Sequence, residues 1–497
     1  MDGSMSTSGV IDPRRTPASI PAAGVAKDIR SAPPPLPRPI CWTSLTHSDI
    51  FKEYISAEGL GQRGSSFDTP SVATGETLET TQDTQEPLSK NYPKHIASIN
   101  ADVQKLVPDV PLTGWIQHLF KHLHVPFCQE LVSENEDLWV GRNLGQFGDY
   151  IFREPLDLKS EEKAAEWCNS VARSLGVIHG LLRPSTNSTD QASGNDQSND
   201  KQLRVFDYGG CNRPLSGGYL LRKPDLALID RTTRSDLGLD ARIRWPLVQA
   251  LVEVSVRSNH IHAAMKTLIS KASVIFESQL HRRFVLGLAF YGKGDDVKFS
   301  FALIDRAGGL YTKPCHLKGY EALDLAHIIF AFTFGSDELL GFDTRVTISR
   351  FTGDPIAVVI DNQPFTIVRE IHSSPYLFGR GTRVYIVKDT LGHFHIFKDS
   401  WIISTHENSE IEHIKKISSV ANAEGLTDIR SRFLRPRFVA GENHVNDTNE
   451  PRGLTGTRSL ARIRRRIVTG PIGDPITSYR SRVECLQALI DIVNREC

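Results

Sequence analysis

Apolar residues recur at helical spacing early in the chain, over Ile96 to Leu106, over Trp115 to Leu123, and most strongly over Ser160 to Leu182 through Ala164, Trp167, Val171, Leu175 and Ile178. This spacing predicts a mostly helical region over 91–202. From Leu203 the pattern changes to short β-rich runs at Pro224 to Asp230, Gln249 to Val256, Arg283 to Tyr291 and Val297 to Asp305. An amphipathic helix, His260 to Gln279, separates the second and third runs, and another spans Tyr320 to Phe332. That order predicts an α+β chain whose middle part, 203–345, is an α/β body with helices against a sheet. The pattern changes again near Gly341. Strands follow at Arg345 to Phe351, Ala357 to Ile360, Thr366 to Glu370, Arg383 to Lys388 and His393 to Lys398, with helices near Asn408 to Val420 and Ser481 to Asn494. The last two strands are joined by Asp-Thr-Leu-Gly and read as a hairpin within a unit over 346–497.

Polar stretches interrupt these elements. Residues 1–90 read as a disordered tail and linker, because Pro, Ser, Gly, Thr and Gln bury too little apolar surface to offset chain entropy. The tract Pro33 to Pro39 reads as a spacer, and 185–202 as an exposed polar loop. The chain is 39% hydrophobic and 23% charged with a formal net charge of +0, a balance that gives no general reason to expect nucleic-acid or membrane binding. Its seven cysteines form no CxxC pair, which speaks against a disulfide framework or zinc ribbon and for a reducing, intracellular setting. The most apolar run, Ala322 to Phe334, is short and interrupted by Asp324 and His327, so a soluble protein, cytoplasmic or nuclear, is expected.

Candidate chemistry concentrates near the C-terminus. Backbone amides reach phosphate oxygens only where side chains leave room, and Gly379-Arg380-Gly381-Thr382 supplies such a turn. Lys398 ends the following hairpin, where its ammonium could meet phosphates, and Glu410 or Glu412 on the next helix could hold it by an ion pair.

The strings Arg306-Ala-Gly-Gly, Leu340-Gly-Phe-Asp343, Gly379-Arg380-Gly381-Thr382, Lys398-Asp399-Ser400-Trp401 and Arg465-Arg466-Ile-Val-Thr-Gly-Pro-Ile-Gly473 together resemble the markers of the fungal-type protein kinase family, over about Lys223 to Cys497. The resemblance implies an ATP-dependent serine/threonine kinase fold, with 346–497 as its N-terminal lobe. In it Gly379, Gly381 and Thr382 would belong to the nucleotide loop, Lys398 would contact the phosphates, and Glu410 would be its partner, with Glu407 and Glu412 nearby. No His-Arg-Asp or Asp-Phe-Gly string occurs in the chain. The expectation is therefore a lobe that stops before the catalytic loop: weak ATP binding, no magnesium held by this chain alone, no catalytic residue and no phosphoryl transfer. The alternative is a non-catalytic scaffold that docks a protein partner; no motif specifies an oligomeric state.

A second chemistry is suggested upstream. Asp225 before one strand and Glu253 in another resemble the metal-binding carboxylates of PD-(D/E)xK nucleases, but Ser255 stands where that pattern has its lysine. Lys266 or Lys271 would have to reach the site from the following helix, and the preferred expectation pairs Glu253 with Arg222 or Arg257. The arginines at 462, 464, 465 and 466 read as a solvated strand face, and His260-Ile-His262 and His393-Phe-His395 as ordinary packing or surface histidines.

Overall fold

The β-rich runs after Leu203 carry branched and aromatic residues that can be covered on both faces of a sheet. The computed structural model describes residues 106–139, 151–183, 203–209, 214–218, 223–238, 242–256, 261–374, 376–405, 409–423, 437–443, 446–453 and 461–473, with isolated positions at 481–483 and 486. The expected tail and linker, nearly all of Ile96 to Leu106, the loop 185–202 and most of Ser481 to Asn494 lie outside them.

In chain order the first part contains β1 (Leu106–Val110), α1 (Leu112–Leu119), α2 (Glu161–Ile178), β2 (Arg204–Asp207), β3 (Leu226–Asp230), β4 (Ala250–Ser255), α3 (Ile261–Ser278), β5 (Phe284–Tyr291), β6 (Lys298–Asp305), β7 (Gly308–Thr312), β8 (Cys315–His316) and α4 (Gly319–Phe334). Its strands form one mixed sheet in the order β1-β7-β6-β5-β4-β3-β2, with β8 beside β6. The pairs β1/β7 and β4/β5 are parallel, the latter joined by α3 as a crossover, and the others are antiparallel. Leu106, expected to end a helix, begins β1 instead, because Pro108 follows and cannot donate within a helix.

Helices α1, α2 and α4 cover one face of this sheet through Trp115, Trp167, Leu175 and Phe330. Helix α3 covers the other, with Leu268 and Ile275 packed among Leu251, Val285 and Ala289. Every residue of β5 is consequently buried, which is why its sequence reads as one continuous apolar run. Ser160 starts α2 by accepting a hydrogen bond from the Lys163 backbone, with Glu161 and Glu162 in the first turn.

The second part contains β9 (Val346–Ile348), β10 (Pro355–Ile360), β11 (Gln363–Ser373), β12 (Arg383–Lys388), β13 (Phe394–Ile403), α5 (Glu410–Ala423), β14 (Arg437–Glu442) and β15 (Arg462–Gly470). These strands form an antiparallel sheet in the order β14-β15-β13-β12-β11-β10-β9. On one face Ile411 and Ile414 of α5 pack on Ile467. On the other, Tyr385, Phe397 and Val468 close over Leu280, just past the end of α3. The second sheet is thereby seated on the body, and described residues from 106 to 473 lie in one compact unit. Among the described residues no helix is long and apolar enough to cross a membrane.

Candidate phosphate-binding site

Lys398 lies on the α5 side of the second sheet. Strand alternation puts it on the face opposite Phe397 and Asp399, and Glu410 opens α5 directly across from it. The Lys398 Nζ donates to both Glu410 oxygens, at 2.9 and 2.8 Å. Glu412, the other candidate partner, is occupied elsewhere: its Oε2 accepts from the Ser409 backbone at 3.3 Å while the Ser409 hydroxyl accepts from the Glu412 backbone at 3.5 Å. This reciprocal cap explains why the lysine selects Glu410. Glu407 lies outside the described residues. Beside Lys398, the register places Val384 opposite it, Ile386 opposite Ile396, and Thr469 opposite Ile396. Directly opposed residues share a face, so Val384, Ile386 and Ile396 form an apolar strip next to the ammonium, with Thr469 at its edge.

The glycine turn connects β11 to β12 and is held from the body. Gly379 N–H donates to the Arg306 carbonyl at 2.8 Å, Ser374 N–H to the Thr382 carbonyl at 2.9 Å, and Trp401 N–H to the Arg380 carbonyl at 2.7 Å. The buried Arg306 guanidinium donates back to the carbonyls of Tyr376 and Leu377, at 2.8 and 3.0 Å. A methyl group at Gly381, where φ is 47°, would lie 2.5 Å from Arg306 Cζ. Glycine is required there twice over, by the backbone angle and by the arginine behind it. Burial, reinforced by the nearby Arg383 and Arg464 charges, pushes the Arg306 guanidinium down to about 9.

The arginines of β15 do not form the solvated face expected of them, and Arg462 is half-buried. Arg464, Arg465 and Arg466 are buried rather than a solvated face, at 1%, 6% and 0% exposure. Arg464 binds Asp399 through Nε at 3.0 Å and Nη2 at 2.5 Å, Asp343 through Nη1 at 3.2 Å, and the Leu280 carbonyl at 2.6 Å. Arg466 Nη2 adds a 2.9 Å ion pair to Asp343, which Arg345 also holds. Burial alone would raise the Asp343 carboxyl, and the Arg466 and Arg464 charges override it and hold the group well below the usual carboxylate range. Three marker strings, those with Asp343, Asp399 and Arg465-Arg466, therefore meet in one buried network, while the Arg306 string backs the glycine turn. A further buried pair, Arg452 with Asp305 at 2.8 and 2.6 Å, ties the approach to β15 to the body.

Next to the Lys398–Glu410 pair is a cleft of about 410 Å³ lined by Arg380, Ile402, Ile403, Glu410, His413, Arg462 and Arg465. Burial lowers the affinity of Arg465 for its proton, opposed by Glu410 and Glu412 and reinforced by Arg380. Arg462 is shifted down in the same way, by burial and then by Arg380.

In the body, Asp225 and Glu253 do approach each other, and Lys271 joins them from α3. Its Nζ donates to both Glu253 oxygens at 2.6 Å and stands 3.8 Å from Asp225, whose Oδ2 accepts from Val254 N–H at 2.7 Å. Arg222 and Arg257, the expected partners, lie outside the described residues; the partner seen is a buried helical lysine. The sequence held a signal for it: Lys271 follows Leu268 by three and precedes Ile275 by four, on the apolar side of α3. Burial raises the Glu253 carboxyl to about 7, with Lys271 opposing.

His393 and His395 both meet the Asp389 carboxylate, at 3.3 and 2.9 Å. His260 lies outside the described residues, and no group of three or more metal-ligating side chains occurs among those described. The chain matches no curated protein. Residues 223–495, more than half of the chain and the part that holds all five converging strings, match the family model described as Fungal protein kinase. The chain belongs to the fungal protein kinase family.

Proposed function

We propose that this chain holds ATP on the Lys398 face of its second sheet and that these residues by themselves do not transfer its phosphate. The observation that carries the reading is the Lys398–Glu410 pair, at 2.8–2.9 Å, set beside a glycine turn. A lysine fixed by a carboxylate keeps its ammonium aimed at the phosphates, and Gly379, Gly381 and Thr382 let the loop backbone come close. Val384, Ile386, Ile396 and Thr469 would receive the base, because an apolar strip abutting a cation suits a flat ring with a charged tail. Transfer would also need a base for the acceptor hydroxyl and carboxylates for magnesium, and no His-Arg-Asp or Asp-Phe-Gly string supplies them.

Thermal unfolding of the full chain with Mg-ATP tests the proposal. A ligand that binds only the folded state at roughly 100 times its dissociation constant adds about 2.7 kcal/mol, enough to raise the midpoint by a few degrees. The rise should vanish in Lys398→Ala, and incubation with radiolabelled ATP should leave the protein unlabelled. An unchanged midpoint in the wild type would favour a scaffold that docks a protein partner.

A second reading starts from Lys271, which brings to Asp225 and Glu253 the cation that Ser255 cannot provide. The strands β2, β3 and β4 followed by α3 and β5 also have the order expected of a PD-(D/E)xK core. Both Glu253 oxygens are already taken by Lys271, so we read the trio as an ion pair that locks α3 onto β4 rather than a hydrolytic centre. Plasmid DNA in Mn²⁺ should remain intact; cleavage lost in Glu253→Ala would reverse that choice.

A further inference from the structure

We infer that the cleft beside Lys398 is a built polyphosphate site, in which Arg380, Arg462 and Arg465 hold the outer phosphates of the nucleotide without a divalent metal. The inference rests on the nucleotide reading above and extends it to the charge that would otherwise need magnesium.

Arg380, Arg462 and Arg465 line the cleft against one lining carboxylate among the described residues, Glu410, whose two oxygens already serve Lys398, while Glu412 acts on Arg465 from nearby. The nearby Asp305 does not cancel the surplus, because Arg452 holds both of its oxygens. Arginines gathered around a cleft with too few carboxylates repel one another, and that repulsion is relieved by an anion.

Arg465 is only 6% exposed, yet among the described residues its one hydrogen bond at the guanidinium runs from Nε to the neutral Asn443 Oδ1, at 2.7 Å. Among the described residues the Arg462 guanidinium donates only to the Trp401 carbonyl, at 3.4 Å, and the Arg380 side chain has no ion-pair partner. A guanidinium bonded only to an amide keeps its fork for another acceptor, and the planar fork fits two oxygens of one phosphate.

Arg380 sits between Gly379 and Gly381, and its carbonyl is fixed by Trp401, so the loop that approaches the inner phosphates carries an arginine onto the next ones. Glu410 lines the cleft and binds Lys398, which makes the lysine site and the arginine cleft continuous. A volume of about 410 Å³ is within the range of small-ligand sites, roughly 300–1,000 Å³.

Titration calorimetry of the full chain tests this with ATP, ADP, adenosine and inorganic tripolyphosphate, each in Mg²⁺ and in EDTA. Arg380→Ala and Arg462→Ala are the variants, since both side chains are at least partly exposed and their removal should spare the fold; Arg465 is avoided because it is buried. In EDTA, ATP should bind at least as tightly as in Mg²⁺ and tighter than ADP. Each variant should weaken ATP about tenfold, the loss expected for one charge-assisted contact, and leave adenosine unchanged. Tripolyphosphate should bind alone and compete with ATP. Equal binding of ATP, ADP and adenosine, with no effect of either variant, would overturn the arginine site and leave the nucleotide reading standing. Tripolyphosphate binding that depends on Arg462, with adenosine not binding and ATP no better than tripolyphosphate, would keep the arginine site and remove the nucleotide reading.

Discussion

Asp399 shows how far a single carboxylate reaches in this protein. It follows the lysine of the proposed nucleotide site, points to the opposite face, and neutralises Arg464 with Arg466 3.6 Å away. Removing one member of a buried ion group leaves the others without compensation, at a cost of about 3–5 kcal/mol. Asp399→Ala is accordingly expected to lower the urea midpoint steeply or to prevent folding, whereas Arg380→Ala, on the exposed loop, should change stability by less than about 0.5 kcal/mol. A wild-type midpoint in Asp399→Ala would mean that the arginines find another partner. The sequence disguised this network. Four arginines in five positions look like surface when taken locally, since their partners stand 65 and 121 residues away. Lys398 and Glu410 were legible because the helix follows the strand at short range, and the choice of Glu410 over Glu412 follows from the Ser409 cap.

At the scale of the element, strands with apolar alternation or a continuous apolar run could be read within a few residues, as β12 and β5 were. Strand β15 was harder, because arginines occupy positions that a buried strand ordinarily gives to Val or Ile. The glycine turn is the element whose geometry could not be foreseen, since its backing comes from Arg306 in the turn between β6 and β7. Gly381→Ala meets two obstacles: an angle that costs an L-residue roughly 1–2 kcal/mol, and the Arg306 guanidinium. It should destabilise the protein by about 1–3 kcal/mol and weaken ATP. Combining it with Arg306→Ala should cost less than the two single losses together, because the clash disappears with the arginine. Strict additivity in that cycle would show that the two residues do not touch.

At the scale of the whole molecule, the mixture of helices and sheets followed from the changes of pattern, and five short strings were enough to name the family. What the pattern could not convey is that the strings are one structural object. Asp343 and Leu280 precede the second sheet in sequence and close its buried face; Arg306 lies further back and supports its turn. The consequence concerns inheritance. A rearrangement of the gene that carried off β9 to β15 without the preceding body would separate Arg464 and Arg466 from Asp343 and leave the glycine turn without its backing. The two halves can drift in sequence only as partners, and neither is free to be traded between proteins like a bead on a string.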